Sequence, residues 1–336
     1  MQTILGIEST AHTLGIAVAR GKMGKEIEII SNCAAKYPPS ASGYIPRKLA
    51  EHHAEKFSSV LSESLEKSGT KLSQVDFIAY SYGPGMGHCL QVGYEAAKSL
   101  GVFLGIPIIP VNHAIAHAEV VKHLEGATDP LIVYVSGGNT QILFLDRGNR
   151  RYRVLGETLD IGIGNFLDQV GRSLELGPPD AVGVLKLASL PDCNYVELPY
   201  VVKGMSVSYS GMLTCAQKLA KKGVLKKDLS YSAQETAFAA LCEASERALL
   251  HADKKEIVLC GGNARNKRLA QMMGLVAEEN GARLFVGADE YLGDNAGMIA
   301  LTGLLMAQAG AAERGIDPRP VQDLRIDGEE IFWQKV

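Results

Sequence analysis

The chain has 336 residues, of which 46% are hydrophobic and 21% are charged, and its formal net charge is −3. This length fits two domains of similar size, and the composition is typical of a soluble globular protein. The near-neutral charge gives no overall attraction to nucleic acid or to an anionic membrane, so binding to RNA would need a local basic patch or partner subunits. Six scattered cysteines without a C-x-x-C pair indicate reduced thiols, and no apolar run is long enough to span a bilayer. The chain opens in a strand pattern without a basic leader, which predicts a cytoplasmic protein without a signal peptide.

The first third of the chain predicts a β-hairpin and then an alternation of helices and strands. The predicted elements are strands at 3–7, 14–19 and 27–33, a helix at 46–67, a strand at 75–82, a helix at 89–104 and a strand at 106–111. A further helix begins after Asn112, which is a good N-cap residue, and ends at Gly126.

Two histidines lie four residues apart in that helix, at His113 and His117. Residues at this spacing share one helical face, so both imidazoles can point at one metal ion. A buried face without a ligand is the alternative, since apolar residues continue the same stripe at Val120 and Leu124. The Glu of the His-Glu-x-x-His zinc-peptidase motif is missing, and the general base of such a peptidase is therefore missing from its expected place.

The second half of the chain repeats the opening pattern. Its predicted elements are strands at 131–136, 141–145 and 152–157, helices at 165–176 and 232–251, a strand at 256–260, a helix to about 280, a strand at 283–286 and a helix at 296–308. This repetition predicts a duplicated α/β fold of two lobes, with mixed sheets flanked by helices and a central cleft. The predicted lobes are 1–128 and 129–310, with an irregular insertion near 177–231 and a tail at 311–336 that packs back on the first lobe.

Glycine-rich turns end three of the predicted strands, at 83–85, 137–140 and 261–263. Such turns can present backbone N–H groups to phosphate oxygens. The chain has neither a G-x-x-x-x-G-K-[ST] P-loop nor a G-x-G-x-x-G motif that opens a helix after the first strand. The constellation resembles the duplicated ATPase fold of actin, the heat-shock chaperones and the sugar kinases, in which a nucleotide lies between the lobes.

Seven runs, in order along nearly the whole chain, make a more specific resemblance. They are 6–12 (GIESTAH), 81–87 (SYGPGMG), 112–117 (NHAIAH), 134–141 (YVSGGNTQ), 156–161 (GETLDI), 208–211 (SYSG) and 293–297 (GDNAG). Together they resemble the universal tRNA N6-adenosine threonylcarbamoyltransferases, formerly called O-sialoglycoprotein endopeptidases. His12 and the run 51–53 (EHH) resemble the archaeal and eukaryotic branch, which is the catalytic subunit of the KEOPS complex.

The resemblance implies a reaction and a set of partners. The threonylcarbamoyl group would pass from threonylcarbamoyl-AMP to N6 of the adenosine 3′ of the anticodon, in tRNAs that read codons starting with A. The implied partners are tRNA, a small atypical protein kinase or ATPase, a dimerising subunit and a kinase-binding subunit. No kinase domain follows 332–336 (FWQKV), so a separate kinase partner is expected.

The resemblance also implies the site residues. The implied ligands of one divalent ion, Fe or Zn, are His113, His117, Tyr134 and Asp294, and the ion would join the two lobes. The implied contacts to the nucleotide substrate are Tyr134, Val135, Ser136, Gly137, Gly138, Asp168 and Asn266. His12 is a candidate general base, although a hydrogen bond within its own hairpin would explain it equally well.

The chain departs from the family pattern near the ribose-binding turn. Ala181 stands in place of the second glycine of a Gly-Gly-Pro turn, and Leu185 in place of an acidic residue that would hold the ribose. Asp180 is a possible substitute.

Three other functions remain open from the sequence. A sugar or carboxylate kinase of the same fold would not need the histidine pair. A metallopeptidase would need a general base near the metal. A non-catalytic ATPase subunit would serve as a scaffold within a complex.

Overall fold

The computed structural model describes residues 1–22, 26–39, 44–314 and 319–334. In the first part of the chain, five strands form one sheet in the order β3-β2-β1-β4-β5. Strands β1, β2 and β3 are antiparallel neighbours, whereas β1, β4 and β5 run parallel. The elements are β1 (Gln2–Glu8), β2 (Thr13–Gly21), β3 (Ile27–Lys36), α1 (Pro46–Ser68), β4 (Phe77–Gly83), α2 (Gly87–Leu104), β5 (Ile108–Asn112) and α3 (His113–Glu125).

The second part of the chain builds another five-stranded sheet with the same internal arrangement. Its order is β12-β11-β6-β7-β8, so a hairpin and a third antiparallel strand are again extended by two parallel strands. The elements are β6 (Leu131–Val135), β7 (Thr140–Asp146), β8 (Arg151–Glu157), α4 (Ile163–Ser173), α5 (Asp180–Ala188), β9 (Val202–Lys203), β10 (Ser206–Val207), α6 (Ser210–Lys221), α7 (Lys226–His251), β11 (Glu256–Cys260), α8 (Lys267–Glu279), β12 (Arg283–Val286), α9 (Asp289–Leu292) and α10 (Ala296–Gln308). The repeated strand order is the duplication that the sequence predicts.

Helix α10 follows the second sheet in the chain but packs against the first sheet and against α3. Its contact with β1 is close, because a Cβ atom at Gly6 would lie 2.6 Å from the backbone nitrogen of Ala300. Small residues at this contact therefore let the helix lie directly on the strand. By packing, α10 therefore lies with the first sheet, although it follows the second sheet in the chain.

Residues 177–231 are more regular than the irregular insertion that the sequence predicts. They contain α5, α6, the first turn of α7 and a two-stranded ribbon of β9 and β10. The expectation of irregular backbone is therefore wrong for most of this segment. These helices pack on α4 and α7, where tertiary contacts compensate for their weak sequence pattern.

The C-terminal residues contact both parts of the molecule. The backbone N–H of Val321 donates to the carbonyl of Tyr82 at the end of β4, and that of Ile331 donates to the carbonyl of Arg150 before β8. Further along, Trp333 and Gln334 donate to the carboxylate of Glu119 on α3. The predicted boundaries of the two lobes and of the tail stay predictions.

Within the four described ranges, the helices are too short or too polar for any of them to cross a membrane.

Candidate metal centre and nucleotide turns

Helix α3 places both histidines in the interior, as its caps predict. The side chain of Asn112 accepts hydrogen bonds from the backbone N–H groups of Ala114 and Ile115, and Gly126 ends the helix in the left-handed conformation. His113 is 7% exposed and His117 is fully buried. Their rings are perpendicular, with centroids 4.7 Å apart, so the i and i+4 positions bring two imidazoles to one point.

Asp294 joins this pair from the residue before the N-cap of α10. Its Oδ1 atom lies 3.6 Å from Nε2 of His113 and 3.5 Å from Nε2 of His117. The three side chains therefore form a possible metal site, in which one ligand atom from each lies within 4.8 Å of the others. The side chain of Asp294 is 22% exposed, so the cluster can be reached from solvent on the Asp294 side.

Tyr134 lies beside the cluster at the end of β6. Its ring centroid is 5.4 Å from that of His117, and the residue is 1% exposed. Burial raises the pKa of Tyr134, and the charge of Asp294 adds to this effect. The structure thus brings together all four side chains that the family resemblance implies as ligands, three by close approach of ligand atoms and the fourth by ring contact.

Glu8, at the end of β1, contacts His113, and no sequence pattern singled it out. Its buried carboxylate lies 2.9 Å from Nδ1 of His113 and also accepts hydrogen bonds from the backbone N–H and the hydroxyl of Thr10. Burial alone would lower the pKa of His113, but the charges of Glu8 and Asp294 outweigh it and raise this pKa to about 9. A histidine that binds a metal through one ring nitrogen usually donates the N–H of the other ring nitrogen to a carboxylate.

The donor set fits a divalent transition metal. Both ring nitrogens of His117 are buried without a hydrogen-bond partner, which is costly unless something else binds them. Two ligands of one tetrahedral zinc ion, each about 2.0 Å from it, lie about 3.3 Å apart. The distances from Asp294 to the two histidines are close to this value. Imidazole nitrogen and carboxylate oxygen are also ligands that Zn and Fe both accept.

A glycine turn between β6 and β7 lies next to Tyr134. Within it, the backbone N–H of Ser136 donates to the carbonyl of Asn139, and the amide of Asn263 donates to the carbonyl of Ser136. The space is tight at Gly162, where a Cβ atom would lie 2.6 Å from the backbone of Gly138, but a Cβ atom at Gly138 itself would meet nothing within 4 Å. The space beside the turn is therefore open at Gly138, whereas the turn packs tightly against Gly162. Val135, Ser136, Gly137 and Gly138 all lie here, and Asn263 of the third glycine-rich turn contacts them through Ser136.

Asp168 lies on α4 and Asn266 lies immediately before α8. Both side chains already accept hydrogen bonds from the backbone of this chain. The carboxylate of Asp168 accepts the backbone N–H of Ala181 at 2.9 Å, and burial raises its pKa. The side-chain oxygen of Asn266 caps α8 by accepting two backbone N–H groups. A cavity of 330 Å³ lies beside Asp168, and another of 470 Å³ lies beside Asn266 and Leu185. Leu185, at the place of the missing acid, offers no hydrogen bond to a ribose.

His12 lies outside the ligand cluster. Its ring stacks on that of Tyr44, with centroids 5.2 Å apart and an interplanar angle of 12°. Burial alone would raise the pKa of Asp294, but His117, His113 and, more weakly, His12 hold it well below its usual range. Tyr44 itself was not selected from the sequence, since an isolated aromatic residue before a helix carries no signal.

The two sheets of matching strand order define a protein with the duplicated α/β fold that actin and the sugar kinases share. Two solved structures that resemble the chain are full-length HypF in its phosphate- and nucleotide-bound form and component A of (R)-2-hydroxyglutaryl-CoA dehydratase from Acidaminococcus fermentans. Their TM-scores are 0.62 and 0.54, with 12% and 15% identity over 91% and 93% of this chain, and this chain covers 46% and 100% of theirs. At this identity the likeness shows the fold alone, and it confirms the fold class predicted from the sequence.

The chain belongs to the TsaD family, tRNA N6-adenosine threonylcarbamoyltransferase, whose model matches residues 27–301. A protein of that name from Thermococcus kodakarensis is 46% identical over 98% of this chain and 99% of its own length. One from Encephalitozoon cuniculi is 42% identical over 98% of both chains. A probable bifunctional tRNA threonylcarbamoyladenosine biosynthesis protein from Methanosarcina barkeri is 44% identical, and this chain covers 59% of it.

Proposed function

We propose that this chain transfers the threonylcarbamoyl group from threonylcarbamoyl-AMP to N6 of the adenosine 3′ of the anticodon, in tRNAs that read codons starting with A. N6 attacks the carbamoyl carbon, a C–N bond forms, the C–O bond to the phosphate breaks, AMP leaves and N6 loses a proton. Nearly full-length identity to relatives named for this transfer supports the proposal. The observation that carries it is the grouping of His113, His117 and Asp294 beside an open glycine turn.

We propose that the four clustered side chains hold one divalent ion, Fe or Zn: His113, His117, Tyr134 and Asp294. Glu8 would keep Nδ1 of His113 protonated and its Nε2 free to bind. The bound ion would supply positive charge to the carbamoyl carbonyl or to the phosphate oxygens of the substrate. Tyr134 lies at the end of a strand of the second sheet, whereas Asp294 lies just before α10, which packs on the first sheet.

We propose that the adenylate lies along the second lobe. The turn at Val135, Ser136, Gly137 and Gly138 would hold the acyl-phosphate oxygens, with the backbone N–H groups of the two glycines as donors, because that of Ser136 already donates to Asn139. Asp168 would accept from a ribose hydroxyl with the lone pairs that Ala181 leaves free. Asn266 would contact the nucleoside with its side-chain amide, because its oxygen is engaged in capping α8. With Leu185 in place of an acid, the ribose loses one charged hydrogen bond.

A base near the metal would help a weakly nucleophilic amine. His12 stays our candidate for accepting the N6 proton. Its imidazole lies in the first hairpin loop close enough to influence Asp294.

We further propose that the chain works in the cytoplasm within a KEOPS-type complex. Its partners would be tRNA, a small atypical kinase or ATPase, a dimerising subunit and a kinase-binding subunit. The net charge of −3 supports shared binding of the RNA, since phosphate contacts need clustered cationic side chains. A bifunctional relative that is much longer than this chain supports a second activity working alongside it.

The test is transfer of labelled threonine to unmodified tRNA by the chain reconstituted with its partners and with measured metal content. Labelled product is expected only with metal, adenylate and tRNA present together. Robust phosphate transfer from ATP to sugars or carboxylic acids, without labelled tRNA, would instead favour a kinase of the same fold. Unchanged transfer after replacement of His113 and Asp294, in a protein that remains folded, would favour a scaffold.

A further inference from the structure

Four ring side chains cluster at the end of the first hairpin, and the proposed chemistry does not yet use them as a group. Tyr44 stacks on His12, and Tyr37 contacts Tyr44 edge-on with a centroid distance of 6.4 Å. The ring centroid of His52, on α1, lies 5.5 Å from that of Tyr37. The backbone N–H of Tyr37 also donates to the carbonyl of His12, which fixes the spacing of this aromatic cluster. We define the cluster as His12, Tyr37, Tyr44 and His52.

Tyr44 is the member of the aromatic cluster that faces the substrate cleft. It lines the 330 Å³ cavity that Asp168 also lines. Burial, and then the charges of Asp168 and Asp294, raise the pKa of Tyr44. The residue is still 37% exposed. His12 covers one part of the ring, and the remaining part is available to a further planar group.

The proposed reaction needs such a planar group at this place. N6 of an adenine within a stacked anticodon loop cannot reach an acyl donor held in a cleft, so the base must leave its stack. Proteins compensate for the lost stacking with exposed aromatic side chains, because every base has a π-face. An exposed aromatic ring that lines the same cavity as Asp168 is well placed for this purpose.

We propose that Tyr44, supported by His12 and Tyr37, forms a stacking subsite for the acceptor adenine of the tRNA. This inference rests on the proposed function and names one of its substrate contacts. Tyr44 comes from the first lobe, whereas all the proposed contacts to the nucleoside of the adenylate come from the second. The two adenine rings of the reaction therefore occupy opposite walls of one cleft, and Tyr44 selects the one that belongs to the RNA.

Three variants test the subsite in the metal-loaded, reconstituted complex. Tyr44→Leu removes the ring but keeps an apolar side chain, and Tyr44→Phe keeps the ring without its hydroxyl. Tyr200→Leu is the matched control, because Tyr200 is similarly exposed, at 45%, and lies outside the cleft. The measurements are kcat and KM for tRNA at saturating adenylate, and KM for threonylcarbamoyl-AMP at saturating tRNA.

Tyr44→Leu is expected to raise KM for tRNA roughly tenfold or more, while KM for the adenylate changes less than about twofold. Tyr44→Phe and Tyr200→Leu should resemble the unchanged protein. The inference is overturned if Tyr44→Leu leaves KM for tRNA unchanged, or if it raises only KM for the adenylate, since the ring would then hold the donor. Failure of the unchanged complex to modify tRNA at all would instead contradict the proposed function.

Discussion

Each sheet begins with a hairpin, and the two hairpins lie at equivalent positions in the strand order. Their loops differ, because one presents a buried carboxylate and the other presents glycine backbone. The loop after β1 begins at Glu8, whose buried carboxylate contacts Nδ1 of His113. The loop after β6 contains Gly137 and Gly138, and a Cβ atom at Gly138 would meet nothing within 4 Å. Since the strand order of the two sheets is the same, the difference between the loops comes from their side chains and not from their frame. One loop supports a proposed metal ligand, and the other is suited to bind phosphate.

The largest effect should follow Asp294→Asn, which removes the cluster's anionic ligand while leaving both loops intact. We expect loss of bound metal and a fall in threonylcarbamoyl transfer of more than about 100-fold, because removing a direct ligand should exceed the effect of an outer-shell change. Elemental analysis after dialysis and the labelled-threonine assay measure the two quantities. Affinity for a non-reactive adenylate analogue should change far less. Asp289→Asn, an exposed carboxylate five residues earlier, is the matched control. Full metal content in Asp294→Asn would contradict the assignment.

A smaller effect is expected for Glu8→Gln, which addresses the first loop alone. Glutamine keeps the size of the side chain but removes the charge that holds His113, so metal affinity should fall about 10–100-fold. Titration with a competing chelator measures this fall. Nucleotide affinity should be unchanged, because the second loop is untouched. Equal losses of metal and nucleotide affinity would show that the two loops do not have separate roles.

The pH dependence of metal binding sharpens the same contrast. In the metal-free protein the pKa of His113 is raised to about 9, so below that pH a proton must leave before the ion can bind. Affinity should therefore rise about tenfold per pH unit between roughly 7 and 9 through release of one proton. In Glu8→Gln the pKa of His113 falls, and the rise should move to lower pH. A pH-independent affinity in both proteins would contradict the role of Glu8.

The smallest effect should come from Gly138→Ala, which adds one methyl group to the second loop. Nothing lies within 4 Å of the added Cβ atom, so the melting temperature should be nearly unchanged. The methyl group would however enter the space proposed for phosphate, and KM for the adenylate should rise by about threefold to tenfold. Gly211→Ala, another position with open space, serves as control. A lowered melting temperature with unchanged KM would assign the glycine to folding instead.

The predictable parts of the molecule are those written in local sequence. Asn112 and Gly126 end α3 where capping chemistry places them, and the i, i+4 spacing alone brings His113 and His117 together. The contact of Glu8 with His113 was not predictable in this way. It depends on the parallel pairing of β1, β4 and β5, which carries residues 105 positions apart to one edge of the sheet.

Other differences have the same physical origin. Residues 177–231 have a weak periodic pattern, yet α5 and α6 form because they pack on α4 and α7. Asn266 was selected as a nucleotide contact, but its sequence position equally specifies the N-cap that it forms. Local signals identify which residues can carry the chemistry, and long-range packing decides what each of them touches.

The attachment of α10 to the first sheet has a consequence for the proposed metal site. Three of the four proposed ligands lie beside that sheet: His113 and His117 are on α3, and Asp294 lies just before α10, which packs on α3 and on the sheet. Only Tyr134 belongs to the second sheet. If the lobes separate, the three side chains beside the first sheet would stay together and would still be able to hold an ion, whereas the phenol of Tyr134 would move away with the second sheet.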